Sequence, residues 1–341
     1  MNHHDNVSFY FLKVYTRART IMENKKYFSQ GQLLRSSLRL ALLLLCFLII
    51  IDNKSFAQDI EPRRWTPLPL GINIVGAGYG NTQGKIFFDP ILQVEDATVS
   101  INAIAVQYVH PFKLWNKLAR LDVLVPYSTA RWEGLLAGVP TTVKRNGFAD
   151  PRIRLSVNII GPQAIGIKEM REYLIAHPVN TTVGISMAVT LPLGQYFEDK
   201  LLNLGQNRFI FRPQIGMVHN WVNWSFELTG SVFIFSNNND FANGKTKKQD
   251  PVFAVQTHLL RRFKHNIWAS VSAGYGLGGQ SIVDKQPNND NRGDVLGALS
   301  VGFQLMKKQA IKFAYVRSQT LKDIGADTNS FVLVWSVILA D

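Results

Sequence analysis

The sequence predicts an all-β protein, a transmembrane antiparallel up-and-down β-barrel of about 12 strands. Apolar and polar residues alternate with period two along most of the chain from Leu68 onward, which places them on opposite faces of a sheet. The connections between the alternating segments are short and long in turn, as in outer-membrane barrels. The longest apolar run, Leu40 to Ile51, is shorter than the roughly 20 residues of a membrane-spanning helix.

Composition supports a folded, exported chain. The 341 residues carry a formal net charge of +13, 46% are hydrophobic and only 18% are charged, against about a quarter in soluble globular proteins. Aromatic residues make up 11%, which argues against a disordered chain. A single cysteine, Cys46, excludes disulfide scaffolds and cysteine-rich zinc modules.

Residues 1–57 are predicted to be a signal peptide. Arg35 and Arg39 precede the apolar run, and Ser55-Phe56-Ala57 follows it, so a basic region, an apolar region and a small-x-small cleavage site occur in order. Met22 is an alternative start, and an uncleaved anchor helix is the alternative interpretation. Cleavage after Ala57 would leave a short N-terminal segment, 58–67, which we expect to be too short for a plug domain, and a barrel over 68–341.

The alternation defines each strand in turn. In the fourth segment Ile153, Leu155 and Val157 alternate with Arg154 and Ser156, whereas an amphipathic helix would need apolar spacings of three and four. We predict strands at 69–82, 97–110, 118–132, 148–161, 179–193, 206–219, 223–236, 251–263, 266–279, 292–306, 309–320 and 328–340.

The connections complete the pattern. Short turns are predicted at 220–222, 264–266 and 307–308, and a short helix over 167–174 is predicted on the same side. The long polar loops are predicted at 83–96, 133–147, 194–205, 237–250, 280–291 and 321–327. Pro213 interrupts a strand of a sheet that has no free edge, so we expect a β-bulge there.

A soluble β-sandwich is the alternative architecture, and three features favour the barrel. The strands are longer than the ~5–6 residues common in globular sheets, their number is even, and aromatic residues cluster near strand ends, as at membrane interfaces. These aromatic residues are Tyr79, Trp115, Trp132, Trp221, Trp224, Trp268 and Tyr275.

The polar face carries charges that a dry core would not accept. We therefore predict a polar lumen, and the candidate lumen-lining residues are Arg120, Asp122, Asp150, Arg152, Arg154, Arg208, Arg212 and Glu227. The pairs Arg152/Arg154 and Arg208/Arg212 line a constriction or simply pair with the three acids of this set; both interpretations remain open. Phe233 is a further candidate for contacting an aromatic solute.

No catalytic, cofactor or metal site is predicted. The glycine runs 76–80 and 274–279 open no helix and lack the lysine of a nucleotide-binding loop, and glycines that ease barrel curvature explain them. The histidines have no metal-ligand spacing, and no local His-x-Ser pair indicates a hydrolase.

Several motifs resemble those of a known family, the outer-membrane transporters described as the MetA-pathway of phenol degradation. They are RRWTPLPLGIN (63–73), FFDPILQVEDA (87–97), GFADPRIRL (147–155), LLNLGQNRFIFRPQIG (201–216) and WSFELTGSVF (224–233). The resemblance covers nearly all of 58–341 and implies a porin-like barrel in the outer membrane of a Gram-negative envelope. It also implies passage of small aromatic or hydrophobic compounds. The chain ends in Leu339-Ala340-Asp341, whereas many such barrels end in an aromatic residue.

The functional expectation is a passive channel for small solutes, without enzymatic activity and without a cofactor. A structural or adhesive barrel with a closed lumen is the alternative, and an outer-membrane lipid-modifying enzyme is the third possibility. The expected partners are outer-membrane lipid and lipopolysaccharide, the barrel-assembly machinery and a small-molecule solute. The positive charge suits lipopolysaccharide or an anionic solute, and no nucleic acid partner is expected.

Overall fold

The computed structural model describes residues 60–340, and strands dominate this part of the chain. The predicted signal peptide 1–57, with Cys46 and the alternative start Met22, lies outside the described residues. Within 60–340 no helix has the length and apolar character needed to cross a membrane.

Twelve antiparallel strands form a closed barrel, as predicted. Each strand pairs with its neighbours in sequence order, and β1 pairs with β17 to close the ring. The barrel strands are β1 (Ile72–Phe87), β2 (Val94–Leu114), β3 (Lys117–Leu136), β5 (Arg152–Ile160), β6 (Val179–Thr190), β7 (Ile210–Trp221), β8 (Trp224–Phe235), β11 (Val252–Arg262), β12 (Trp268–Gly278), β15 (Arg292–Met306), β16 (Gln309–Thr320) and β17 (Gly325–Ala340).

The predicted loop 133–147 is largely strand. β3 continues to Leu136 and turns directly into β4 (Val139–Phe148), which pairs with the upper half of β3 while β5 pairs with the lower half. The break between β4 and β5 contains Asp150, whose carboxylate accepts hydrogen bonds from the backbone N–H groups of Gly194 (2.8 Å) and Gln206 (2.7 Å). The break therefore attaches the 191–209 connection to the barrel wall.

Two long connections carry a small second sheet. The predicted loop 237–250 contains β9 (Asn238–Phe241) and β10 (Lys245–Gln249), and the loop 280–291 contains β13 (Ser281–Val283) and β14 (Gln286–Pro287). They pair in the order β14-β13-β10-β9.

On the short-turn side the predicted helix is present as α1 (Ile167–Ala176), and a single turn of 3-10 helix occurs at Lys264–Asn266. Another single turn of 3-10 helix, Pro90–Leu92, lies in the long connection between β1 and β2.

The bulge expected at Pro213 is wrong. The β7–β8 register is the same on both sides, with Phe211 opposite Ile234 and Gln214 opposite Ser231, and only the pairs between them are missing. Pairing of Pro213 with Met187 on the other side is intact. The missing proline donor therefore costs a local gap in one ladder and leaves the register unchanged.

The barrel is polar inside and apolar outside. On β5 and β6 the serines Ser156 and Ser186 are 4% and 8% exposed. The residues just before them, Leu155 and Ile185, are 41% and 46% exposed. A soluble sandwich would show the reverse, with its apolar face buried. The alternation thus distributes the residues as in a barrel that turns its apolar face to lipid.

Two of the predicted interfacial aromatics point inward instead. Trp268 lies opposite Gly302, and their neighbours Ser270 and Ser300 form a buried inner pair. Trp132 follows the buried inner residue Ala130 by two positions. The outward aromatics include Tyr79, Tyr275 and Trp115, so position near a strand end was insufficient to predict which side of the wall an aromatic occupies.

Candidate functional site in the barrel lumen

The segment 60–71 lies inside the barrel. Arg64 and Trp65 are 6% and 2% exposed, and their partners belong to the inner faces of β3, β5 and β8. The segment leads into β1, and the Leu70 N–H donates to the Ile165 carbonyl near α1 (2.8 Å). Residues 60–67 of the predicted segment 58–67 therefore occupy the lumen, although the segment is too short to be a plug domain.

Two glycines make a slot for Trp65. Gly184 and Gly216 lie opposite each other on β6 and β7, and a Cβ atom built on them would lie 2.7 Å and 2.1 Å from the indole ring. The indole N–H donates to Thr229 Oγ1 on β8 (2.7 Å), which satisfies the buried polar atom of the ring. Any side chain at Gly216 would compete with Trp65 for the same space.

Arg64 crosses between two parts of the wall. Its backbone N–H donates to Glu227 Oε2 on β8 (3.2 Å), and its side chain donates to Ser156 Oγ on β5. Its guanidinium also lies 3.6 Å from Asp122 Oδ2 on β3. Because a buried charge without a partner is costly, these contacts fix the segment across the lumen.

Glu61 supplies a carboxylate to the wall arginines. Its two oxygens lie 3.2 Å from Arg152 Nη2 and 2.6 Å from Arg154 Nη2. Burial acts to raise the pKa of the Glu61 carboxyl, but the charges of Arg154 and Arg64 outweigh burial and hold the pKa well below its ordinary value. Glu61 therefore stays ionised beside the arginines.

The inner wall places six of the eight candidate residues around this segment. Arg154 Nε lies 3.7 Å from Asp122 Oδ2, and Arg120 Nε donates to Asp122 Oδ1 (2.9 Å). The guanidinium of Arg212 lies 4.4 Å from the ring centre of Phe233 and so covers the aromatic face that we expected to hold a solute. The six residues are Arg120, Asp122, Arg152, Arg154, Arg212 and Glu227.

The other two candidates lie elsewhere, toward the long connections. Asp150 binds the backbone of the 191–209 connection as described above. Arg208 donates to Gln206 Oε1 (2.9 Å) and lies 4.4 Å from the ring centre of Phe235. Asp150 therefore does not pair with Arg152 or Arg154, as one interpretation of the sequence expected.

A cavity of about 520 Å³ remains between the segment and the opposite wall. Cationic side chains of Arg63, Arg64, Arg120 and Arg152 border one side of it. The other side is bordered mainly by small or apolar residues, together with Gln107 and with Lys312, the cross-strand neighbour of Val334. The small or apolar residues are Gly76, Gly78, Gly80, Ala103, Ala105, Val332 and Val334. The cavity thus combines a strongly positive surface with a mostly apolar one.

Sequence reasoning missed Glu61, Arg64 and Trp65. The available signal was the pair of glycines at facing inner positions of neighbouring strands, together with one tryptophan just after the predicted cleavage site. The strand pattern contained no information on where a segment outside the strands would pack.

A histidine and a serine meet across two strands. His258 Nδ1 and Ser272 Oγ are 2.8 Å apart, and Glu227 is the cross-strand neighbour of His258 on the other side. The two side chains are 2% and 3% exposed, and neither borders the luminal cavity. The contact satisfies buried polar atoms of the wall. Among residues 60–340 no group of three or more potential ligands could hold a metal ion.

Comparisons with known proteins agree with this architecture. A family model described as "Putative MetA-pathway of phenol degradation" matches residues 80–324. The COG4313 outer membrane channel from Pseudomonas putida F1 is similar in structure, with a TM-score of 0.66 and 17% identity over 82% of this chain and 100% of that one. A FadL homologue from Pseudomonas aeruginosa gives a TM-score of 0.39 and 9% identity over 79% and 90% of the two chains. No curated protein sequence matches significantly.

Proposed function

This chain belongs to the family described as the putative MetA-pathway of phenol degradation, and from that premise we propose that it is a passive outer-membrane channel for small solutes. The observation that carries the proposal is the luminal cavity of about 520 Å³ inside a closed barrel. A twelve-strand barrel is wider than the eight-strand type that its own side chains nearly fill. The segment 60–71 narrows this lumen without filling it.

Conduction is the direct test of the channel. Protein refolded into a planar bilayer gives discrete conductance steps if the cavity connects the two sides. A bilayer that stays silent, with the protein shown to be inserted and folded, would instead favour the structural or adhesive barrel with a closed lumen.

We propose that the channel prefers anions. Around the segment the described inner wall and segment contribute Arg63, Arg64, Arg120, Arg152, Arg154, Arg212 and Lys312, against the acids Glu61, Asp122 and Glu227. The excess of positive charge concentrates anions in a narrow, low-dielectric passage. Reversal potential across a salt gradient measures the preference, and selectivity for cations would contradict it.

The compartment is part of the proposal. The apolar outer face supports membrane insertion, and the predicted signal peptide 1–57 would deliver the chain to the envelope of a Gram-negative cell. The barrel-assembly machinery would then insert it. Envelope fractionation with a heat-modifiability gel tests this, because a folded barrel migrates differently before and after boiling. Recovery in the soluble periplasm with no mobility shift would contradict it.

We further propose a lipopolysaccharide contact on the outer face of β3 and β4. Tyr127 and Phe148 face each other there at 5.2 Å, where an interfacial aromatic belt would lie. Four residues further along the strands, Arg131 and Lys144 are direct cross-strand neighbours and both are exposed. Like charges opposite each other are unfavourable. Glu133 pairs with Arg131, so one net positive charge of the three residues remains, and an anionic phosphate of the outer leaflet would bind there beside Lys144.

Retention of lipopolysaccharide on the purified protein tests this contact. We expect the Arg131→Ala/Lys144→Ala variant to retain less than the wild type. The matched control removes two exposed cations from the opposite end, Lys113→Ala/Lys117→Ala, and should retain the wild-type amount. Equal loss in both variants would show that the contact is nonspecific.

A further inference from the structure

We propose that Arg152 and Arg154 form a carboxylate-binding site for small apolar acids, and that Glu61 occupies this site when no such acid is present. The inference rests on the proposed channel function and specifies its substrate class. One carboxylate is held by two guanidinium groups from alternate positions of β5, at 3.2 Å and 2.6 Å. Arginine–carboxylate contacts of this kind are strong and geometrically specific.

The site opens to the cavity. Glu61 and Arg152 both border it, with side chains 28% and 18% exposed, whereas Arg154 behind them is 3% exposed. A solute in the cavity therefore meets the Glu61–Arg152 ion pair first. A carboxylate of the solute can replace that of Glu61 without any change in the wall.

The remainder of the cavity defines the body of the solute. Opposite the arginines the wall presents Gly78 and Gly80 on β1, which face Ala105 and Ala103 on β2, while Gly76 faces Gln107. The glycines and alanines offer space without hydrogen-bonding side chains, and Gln107 lies at one end of this surface. An aromatic ring or short alkyl chain would lie against them while its carboxylate points to Arg152.

Lys312 keeps the site attractive to an anion. It borders the cavity from β16 and interacts electrostatically with Glu61. When a carboxylate enters and Glu61 is still nearby, the lysine offsets the added negative charge. This is the chemistry of a small monocarboxylic acid rather than of a neutral hydrocarbon.

Exchange requires only a local movement. Arg64 and Trp65 are fixed by their own contacts to β5 and β8, so the residues preceding them can leave the wall while the rest of the segment stays in place. Because Glu61 is tethered, it competes at an effective concentration on the order of millimolar. Solutes should therefore bind weakly and exchange quickly, as transport requires.

Thiol labelling of the segment tests the exchange. With Cys46→Ala as background, Ile60→Cys places a single thiol beside Glu61, and its reaction with a bulky maleimide reports departure of this end from the wall. We expect benzoate to raise the labelling rate severalfold with saturation in the millimolar range. Benzamide, which has the same ring without the charge, should leave the rate unchanged. Equal effects of the two probes would overturn the proposal.

Variants connect the response to the arginines. Glu61→Gln should raise the labelling rate without benzoate, remove its dependence on benzoate, and increase benzoate affinity in calorimetry. Glu133→Gln is the control, because Glu133 also pairs with an arginine, Arg131, but on the outer face. No change in Glu61→Gln, or the same change in Glu133→Gln, would overturn the site.

Labelling and calorimetry require no ion flow, so they separate this site from the channel. A benzoate response in a barrel that conducts nothing would contradict the channel and retain the site. Conduction without any benzoate response would retain the channel and contradict the site.

Discussion

The two sides of the lumen differ in the side chains that they direct inward. One side, here called the charged wall, comprises inner residues of β3, β5, β7 and β8, including Asp122, Arg154 and Glu227. The other side, the small-residue wall, comprises the inner glycines and alanines of β1 and β2. The charged wall is covered by the segment 60–71, and the small-residue wall borders the cavity.

The difference teaches where a passage can exist. Long charged side chains need partners when they leave bulk water, and the charged wall obtains them from its own acids and from Glu61 and Arg64 of the segment. Glycine and alanine have no polar side-chain atoms that need partners, and their small size leaves space in the lumen. The comparison predicts that the charged wall controls the segment and that the small-residue wall controls the bore.

The largest effect should come from filling the tryptophan slot in the charged wall. Gly216→Leu places a side chain where the indole of Trp65 lies, since even a Cβ atom would be 2.1 Å from it. Expelling a buried tryptophan removes contacts worth about 3–5 kcal/mol, so the segment should detach and single-channel conductance should rise severalfold. Ile215→Leu, on the outward neighbour, is the control, and unchanged conductance in Gly216→Leu would mean that the segment does not restrict flow.

Filling the small-residue wall should have the opposite effect. At Gly78 a Cβ atom would meet its nearest neighbour at 3.5 Å, and at Gly80 at 4.0 Å, so leucines there can extend into the cavity without disturbing the backbone. We expect Gly78→Leu/Gly80→Leu to lower conductance strongly. Ala77→Leu enlarges a side chain on the outer face of β1 instead and should conduct like the wild type. If both variants conduct normally, the ions follow another path.

Some features of the two walls could be predicted from the sequence, and others could not. The alternation predicted that Arg154 and Ser156 face inward and Leu155 outward, because period two is a property of every strand. Alternation alone also fits a soluble sandwich, so the barrel was predicted only when strand length, even strand number and loop lengths were added. Trp132 and Trp268 were misplaced because an aromatic near a strand end is compatible with either face.

The content of the lumen was beyond this reasoning. Glu61 and Trp65 precede the first strand, and nothing local determines where a non-strand segment packs. Their positions follow from long-range fit to Gly184, Gly216 and Arg154, which only the assembled barrel brings together. The contacts of Asp150 with Gly194 and Gln206 were unpredictable for a similar reason, because strand parity does not apply at a strand break.

A smaller effect on stability should show that the small-residue wall faces water. Ala105 borders the cavity, whereas its neighbour Val106 is 53% exposed on the outer face. Arginine on the lipid-facing side of a barrel costs about 2–4 kcal/mol near the midplane, so Val106→Arg should lower the free energy of unfolding by that amount. Ala105→Arg should cost much less. Urea unfolding in liposomes measures both, and equal penalties would refute the assignment of faces.

Removing a cation that borders the cavity apart from the charged wall should shift selectivity modestly. Lys312 lies on β16 beside Val334 and interacts electrostatically with Glu61. We expect Lys312→Ala to reduce the anion preference measured by reversal potential while retaining conductance. Lys308→Ala, in the turn before β16, is the control. A reversal potential identical to that of the wild type would show that the arginines of the charged wall and of the segment determine selectivity without Lys312.

The smallest expected effect concerns pH. The contribution of Glu61 to the free energy of unfolding should hardly change near neutral pH. The folded-state pKa of Glu61 lies below the ordinary value of 4.5, so its ion pairs stabilise the protein above that value and are lost only as the pH falls through the lower, folded-state pKa. The difference in unfolding free energy between wild type and Glu61→Gln should therefore stay constant from about pH 8 to about pH 5 and decline only in stronger acid. Taking the difference cancels the titration of groups that both proteins share. If the difference already disappears between pH 8 and pH 5, the pKa of the Glu61 carboxyl is raised instead. Burial without the arginine partners would raise it in this way. The segment would then be held to the charged wall by Trp65 and Arg64 alone.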